Sequence, residues 1–145
     1  MIRLKGKRFA GENNANRTIG VQLPFIAKAF PEVAQCHSGT INLELESPLI
    51  IARSDHQTPP LKWKPNLTQG EVFDLVRVLL EVPFGGPQHT AWLYVAHRSR
   101  HRTDLRRHEV IAPFIELAAV EEYGLVVERA CVHLPYKHNP LYVLT

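Results

Sequence analysis

Thr40 and Asn42 lie two positions apart in a segment where polar and apolar residues alternate. In a β-strand, side chains at i and i+2 point to the same side and are roughly 7 Å apart, so both would face away from Ile41 and Leu43. Hydroxyl and amide oxygens suit Mg²⁺, which usually takes one or two protein ligands and leaves its other positions to water and substrate phosphates. The pair therefore predicts a magnesium site, although the same spacing is also typical of an ordinary half-exposed strand.

A polar segment with three asparagines is the second candidate. It consists of Gly11, Glu12, Asn13, Asn14, Ala15, Asn16 and Arg17. Glycine and asparagine tolerate positive φ, which lets successive backbone N–H groups converge on an anion, and Arg17 would add positive charge. The chain contains neither a GxxxxGK[ST] nor a GxGxxG pattern. The segment is therefore interpreted either as an anion-binding loop or as a solvated surface loop.

The third candidate is the basic segment 97–109, in which five arginines fall within the ten positions 98–107. Arginine can donate two parallel hydrogen bonds to a phosphate, so the segment would suit a phosphorylated ligand. A nucleic-acid contact or a solvated loop would show the same charge run. His97 and His101 lack the HExxH pattern of a zinc site, and Glu109 is the available carboxylate to serve as a general base.

Hydrophobic periodicity predicts the elements that must position these residues. The predicted strands are 2–7, 19–23, 40–46, 72–82, 91–96 and 125–134. Pro24 and Pro113 are each predicted to begin a short helix, the first ending at Phe30 and the second at Gly124. Gly85, Gly86 and Pro87 predict a hairpin turn, and residues 47–70, with four prolines, predict a long surface loop.

These elements predict a mainly β fold with short helices. Strands outnumber the helices that could cross over between them, which favours a small, closed, antiparallel or mixed barrel of about six strands over a doubly wound sheet. With 145 residues, of which 45% are hydrophobic, the chain suits one domain over residues 1–145.

The composition limits which binding partners and which cellular compartment we expect. The formal net charge of +3 suits an anionic small molecule and is modest for a nucleic-acid-binding protein. Cys36 and Cys131 have no metal-binding spacing, which predicts two reduced thiols. The N-terminal residues form no signal-peptide core and no stretch reaches the roughly 20 apolar residues of a membrane span, so we expect no membrane partner and a cytoplasmic location. The oligomeric state does not follow from the sequence.

Two motifs resemble signatures of the archaeal CTP-dependent riboflavin kinases. The residues Ser38-Gly39-Thr40-Ile41-Asn42-Leu43-Glu44-Leu45 resemble that family's G-T-[LI]-N-L-x-L pattern, and Glu109-Val110-Ile111-Ala112-Pro113 resembles its E-[IV]-I-A-P pattern. Residues 5–11 look like the family's first strand running into its nucleotide loop. The resemblance spans roughly residues 3–134.

The resemblance implies a six-stranded cradle-loop barrel, related to the RIFT barrels, that transfers phosphate from CTP to riboflavin with Mg²⁺ and yields FMN and CDP. It implies that Thr40 and Asn42 bind the magnesium ion and that residues 11–17 wrap the CTP phosphates. It further implies that Ser99 and Glu109 contact the flavin or its new phosphate, with Glu109 as our candidate for the catalytic base. The cytidine would contact Phe114, Ile115, Glu116 and Leu117.

Two other functions fit the same residues. Residues 12–16 hold asparagine, glutamate and alanine and are poorer in glycine than the nucleotide loop of the kinase family, which favours a barrel that binds a nucleotide or flavin without transfer or with another specificity. The arginines at 98–107 would fit a nucleic-acid-binding cradle-loop barrel.

Overall fold

The computed structural model describes residues 1–9, 14–97, 104–117 and 119–135, and includes side chains for all of these except residues 14–18. The described chain has one α-helix, α1 (Asn14–Ala29), and short 3-10 helices at Pro31–Val33 and Arg129–Cys131. Its strands are β1 (Ile2–Arg8), β2 (Ile41–Leu45), β3 (Ile50–Ile51), β4 (His56–Gln57), β5 (Phe73–Glu81), β6 (Gln88–Ala96), β7 (Arg107–Ile111), β8 (Glu122–Val127) and β9 (Val132–His133).

Six of these strands close into an antiparallel barrel. Hydrogen-bonded neighbours follow the order β5–β6–β7–β2–β1–β8, and β8 pairs back with the C-terminal half of β5. The N-terminal half of β5 pairs instead with β4, where His56 opposes Leu75. The mainly β fold and the closed six-stranded barrel predicted from the sequence are therefore confirmed.

The barrel interior is filled by alternate residues of its strands. Leu43 and Leu45 of β2 are each 1% exposed, and Ile41 packs against the same cluster, as the alternation in this strand predicts. The β5–β6 hairpin is also confirmed, with Gly85 at the turn in the left-handed region (φ +79°) that favours glycine. Cys36 and Cys131 are buried free thiols.

Helix α1 covers one outer face of the barrel, and here the sequence prediction is wrong. Residues 19–23 are helical rather than extended, and Pro24 lies inside the helix instead of beginning it. The local alternation was misleading because the wider apolar spacing is that of a helix face. That face packs its buried residues against β5, β6 and β7; its members are Ile19, Leu23, Ile26 and Phe30. None of the described helices is long and apolar enough to cross a bilayer.

Three further predictions are wrong. No helix follows Pro113 in the described residues 112–117 and 119–121, and Gly124 lies within β8. Gly124 is required there by packing, because an added Cβ would collide with the Glu81 carboxylate. Residues 47–70 contain β3 and β4 as well as buried side chains, rather than one surface loop. The predicted last strand is interrupted after Val127 by the turn that leads into β9.

Candidate functional site

Strand pairing brings Asn42 next to Glu109. Asn42 of β2 is the register partner of Glu109 of β7, and Glu109 is in turn the partner of Tyr94 of β6. Directly opposed residues have Cβ atoms roughly 5 Å apart on one face of a sheet. That face lies under α1, because the Tyr94 hydroxyl donates a hydrogen bond to the Gln22 side chain. A predicted metal ligand and the predicted base are thus neighbours, although they are distant in sequence.

Thr40 immediately precedes β2 and lines a cavity of about 370 Å³. Its Oγ1 atom is buried and makes no hydrogen bond within the described residues. A buried hydroxyl without a partner is costly, so this oxygen suits a bound ligand or cation. The described residues contain no cluster of three or more His, Cys, Asp or Glu side chains that could hold a metal. A magnesium ion here would therefore depend on neutral oxygens and on ligand phosphates, as Thr40 and Asn42 would provide.

The cavity beside Thr40, which we call the donor cavity, is completed by the segment that follows β7. Its lining residues are Arg8, His37, Gly39, Thr40, Ile41, Ala112, Pro113, Phe114, Ile115, Glu116 and Leu117. All four residues predicted to contact a nucleobase therefore share one cavity with Thr40. The two walls are joined by a hydrogen bond of 2.7 Å from the His37 N–H to the Ala112 carbonyl oxygen.

Phe114 is the most exposed aromatic side chain of this cavity, at 72% of its surface. The His37 ring meets it edge-on, with ring centroids 5.5 Å apart. An exposed ring beside a cavity can stack on a nucleobase at little conformational cost. The sequence analysis missed His37, which stands among polar residues without any motif of its own.

The asparagine-rich segment begins beside Asn42. The Phe9 N–H donates a hydrogen bond of 3.1 Å to the Asn42 carbonyl oxygen, so the chain leaves β1 at the candidate metal pair. Residues 10–13, with the predicted contacts Gly11, Glu12 and Asn13, lie outside the described residues. Asn14, Ala15, Asn16 and Arg17 form the first turn of α1, so the prediction of a loop through Arg17 is wrong. Asparagine is a preferred residue at helix N-termini, which explains how the same composition begins a helix.

The helix that replaces this loop passes close to the donor cavity. A Cβ added to Gly20 would lie 3.8 Å from the Ser38 carbonyl oxygen, two residues before Thr40. The first turn of a helix carries backbone N–H groups without intrahelical partners and a partial positive charge. Residues 14–17 therefore retain the capacity to donate backbone hydrogen bonds to an anion, now from a helix.

A larger cavity of about 410 Å³, the mouth cavity, opens at one end of the barrel. Its apolar lining includes Leu49, Ile51, Leu93 and Leu105, and its polar lining includes Arg53, Ser54, Asp74, Asp104, Arg107, His108 and Glu109. Residues 107–109 of β7 line the mouth cavity, and the segment that follows β7, from Ala112 onward, lines the donor cavity. Ser99, the other predicted flavin contact, lies outside the described residues.

Asp74 is the most buried charged group of the mouth cavity, at 3% exposure. The Gln57 amide donates a hydrogen bond of 2.9 Å to its Oδ1, and His97 Nε2 lies 2.8 Å from its Oδ2. Burial raises the pKa of Asp74, but hydrogen bonds from Gln57, Ser54 and His97 outweigh burial and leave the pKa below its ordinary value. The sequence analysis did not single out Asp74, although an acidic residue inside an apolar strand run was a usable signal.

The described part of the arginine run already has acidic partners. Arg106 and Arg107 lie 3.7 and 3.6 Å from the Glu44 carboxylate, and Arg107 also lies 3.4 Å from Asp104. The Arg107 guanidinium stacks over the Phe9 ring at 4.7 Å. These two arginines therefore help to order the rim of the mouth cavity.

A scan against models of known protein families found no match, and a search of curated proteins found no relative of this chain.

Proposed function

We propose that this protein is a magnesium-dependent kinase that transfers a phosphate from a nucleoside triphosphate, CTP by the resemblance, to riboflavin. One observation carries the proposal: Glu109 of β7 lines one cavity, Thr40 and the segment that follows β7 line the other, and Asn42 is the register partner of Glu109. Phosphoryl transfer needs a donor and an acceptor held side by side, and little other chemistry from the protein. Two cavities lined by β7 and by the segment that follows it would supply that arrangement.

The donor nucleotide would occupy the cavity beside Thr40. Phe114 would stack on the base, and the phosphates would extend toward Thr40 and the first turn of α1. Thr40 and Asn42 would hold the magnesium ion, which neutralises charge on the transferred phosphoryl group when it is bound. The buried Thr40 Oγ1 atom, which has no partner within the described residues, supports this assignment.

The acceptor would occupy the mouth cavity, whose apolar walls suit a flat ring system. In the reaction, a ribityl hydroxyl oxygen forms a bond to the γ-phosphorus of CTP while the bond from that phosphorus to the bridging oxygen breaks and CDP leaves. The hydroxyl proton passes to the Glu109 carboxylate, acting as general base. FMN and CDP are the products.

The helical start at Asn14 favours one alternative, a barrel that binds nucleotide or flavin without transfer. A helix N-terminus holds phosphate with fewer backbone donors than a glycine-rich loop that surrounds it. Such a protein would keep both ligand sites and lack turnover.

Calorimetry with CTP and with ATP, with and without magnesium, tests the donor site. We expect magnesium-dependent CTP binding that falls at least tenfold in Asn42→Ala and is unchanged in Asn66→Ala, a matched change at an exposed loop position. Conversion of riboflavin to FMN, followed by chromatography, should require Glu109. Binding of neither nucleotide would overturn the proposal, and binding of CTP and riboflavin without FMN formation would select the non-catalytic alternative.

A further inference from the structure

We propose that Asp74 selects the acceptor: its carboxylate accepts a hydrogen bond from a ring N–H of a flat, uncharged heteroaromatic molecule in the mouth cavity. The inference rests on the proposed function for the identity of that molecule as the phosphoryl acceptor. The cavity, the buried carboxylate and its register do not depend on that identity.

The mouth cavity has the character of a small-molecule site. Its volume of about 410 Å³ falls within the range of roughly 300–1,000 Å³ that is usual for ligand pockets. Its walls combine aliphatic side chains, among them Leu49 and Leu93, with a small number of convergent polar groups. A ring system can bury its faces against the aliphatic side chains while polar atoms on its edge contact the polar groups.

The register of three strands directs Asp74 to this cavity. Asp74 of β5 pairs with Gln57 of β4 on one side and with Val95 of β6 on the other. Val95 and Asp74 both line the cavity. Asp74 presents only a small exposed surface (3%), so a ligand donor that reaches it competes with little water, and the hydrogen bond is correspondingly stronger.

Asp74 is also held in one orientation. Gln57 contacts one carboxylate oxygen and His97 the other, so rotation of the group would break both contacts. A fixed acceptor adds affinity because binding does not have to order it. Each carboxylate oxygen can accept more than one hydrogen bond, so these contacts are compatible with a ligand donor.

A structural role alone explains this residue poorly. The flanking residues of β5, Phe73 and Leu75, are fully buried and apolar, and a buried ion pair is often no more stabilising than apolar packing. A charge that is kept ionised beside a cavity is the pattern expected of a recognition group.

The charge and the position of Asp74 define the class of ligand. An ionised carboxylate favours a ring N–H donor and repels a phosphate, so the phosphate end of the molecule must lie elsewhere. Glu109 lies two strands away, on β7, and because it pairs with Tyr94 while Asp74 pairs with Val95, the two side chains face opposite sides of the sheet. An isoalloxazine ring has an imide N–H on its pyrimidine portion, and its ribityl chain is attached away from that edge.

The test compares riboflavin with riboflavin methylated on the ring imide nitrogen. The wild-type protein should bind riboflavin at least tenfold more tightly than the methylated ligand, as measured by flavin fluorescence. In Asp74→Asn riboflavin affinity should fall about tenfold, and the two ligands should bind within twofold of one another. Asp104→Asn, a matched change of another carboxylate that lines the cavity, should preserve the tenfold preference.

Each failure is distinguishable. Equal binding of the two flavins by the wild-type protein overturns the inference without any variant, and so does an unchanged preference in folded Asp74→Asn. Absence of riboflavin binding also overturns it, while the CTP titration still tests the donor site. If the preference is present but no FMN forms with CTP, the proposed kinase activity fails and the role of Asp74 stands.

Discussion

Strand β5 has a buried carboxylate at each end, and the surroundings of the two groups differ. Glu81 is 1% exposed and accepts hydrogen bonds from the Gln88 amide (3.0 Å) and the Gly85 N–H (3.1 Å). Arg3 contacts it at 2.9 Å. Asp74 is buried to nearly the same extent and is also held by side chains, but it borders the mouth cavity.

The comparison shows that burial and pairing do not by themselves identify a functional carboxylate. The donors to Glu81 come from its own hairpin and from β1, and the neighbouring Gly124 leaves no room for a ligand. Glu81 therefore links the β5–β6 hairpin to β1 within the barrel. For Asp74 the adjoining cavity, rather than the hydrogen bonds, supports recognition of a ligand.

The largest expected effect is at Gly124. In Gly124→Ala the new methyl group collides with the Glu81 side chain, so the strands must separate and the free energy of unfolding should fall by about 3 kcal/mol. Gly20→Ala is the matched control, since its Cβ makes only ordinary contacts at 3.8 Å within a helix. It should change stability by less than about 1 kcal/mol, in the stabilising direction. Urea denaturation measures the stability of both variants. If Gly124→Ala were as stable as the wild type, the close packing of Gly124 against Glu81 would be contradicted.

Conversion of each carboxylate to its amide tests the comparison directly. Glu81→Gln should lower the free energy of unfolding by about 2 kcal/mol, because three donors lose a charged acceptor, and should leave flavin affinity unchanged. Asp74 also has three donors, but none is a guanidinium like that of Arg3, so Asp74→Asn should lower the free energy of unfolding by only about 1 kcal/mol and should weaken flavin binding. Thermal unfolding and a flavin titration on the same samples measure both quantities. If Asp74→Asn instead caused the larger loss of stability and Glu81→Gln weakened flavin binding, Asp74 would be the structural carboxylate and Glu81 the ligand-binding one.

Stability should also decline in acid through these two groups. Burial raises the pKa of each, but hydrogen bonds, together with Arg3 for Glu81 and His97 for Asp74, bring both below their ordinary values. The unfolded chain therefore binds more protons as the pH falls through about 4, and the stability present above that range is progressively lost. In Glu81→Gln the stability curve should be flatter below pH 5. An acid slope equal to that of the wild type would show that Glu81 does not contribute.

The smallest effect on stability is expected at the donor cavity. Phe114→Ala removes a mostly exposed ring, so the free energy of unfolding should change by less than about 0.5 kcal/mol. Base stacking contributes roughly 1–3 kcal/mol, so CTP affinity should fall about tenfold or more. Phe84→Ala, at an exposed phenylalanine on the β5–β6 hairpin, should leave CTP affinity unchanged. Equal CTP affinity in the wild type and Phe114→Ala would remove the ring from the nucleotide site.

Several local features were predictable because they depend on neighbours in sequence. The alternation around Leu43 predicts a strand with a buried face, and the glycines at 85 and 86 predict the hairpin turn. Predictions failed where a short pattern is compatible with two structures. Residues 19–23 alternate like a strand, but Val21 is half exposed, and the apolar face continues helically to Phe30.

The sequence by itself determined the mainly β class and favoured a small closed barrel, because alternation with period two and frequent turns leave few other ways to bury the apolar faces. The tertiary structure decided which six strands form that barrel, since residues 19–23 are helical and β7 is not among the predicted strands. The sequence also singled out Thr40, Asn42 and Glu109. Only the tertiary structure decided that Asn42 faces Glu109 and that Asp74 borders a cavity while Glu81 does not. Those relations depend on strand register and barrel closure, which join residues that are far apart along the chain.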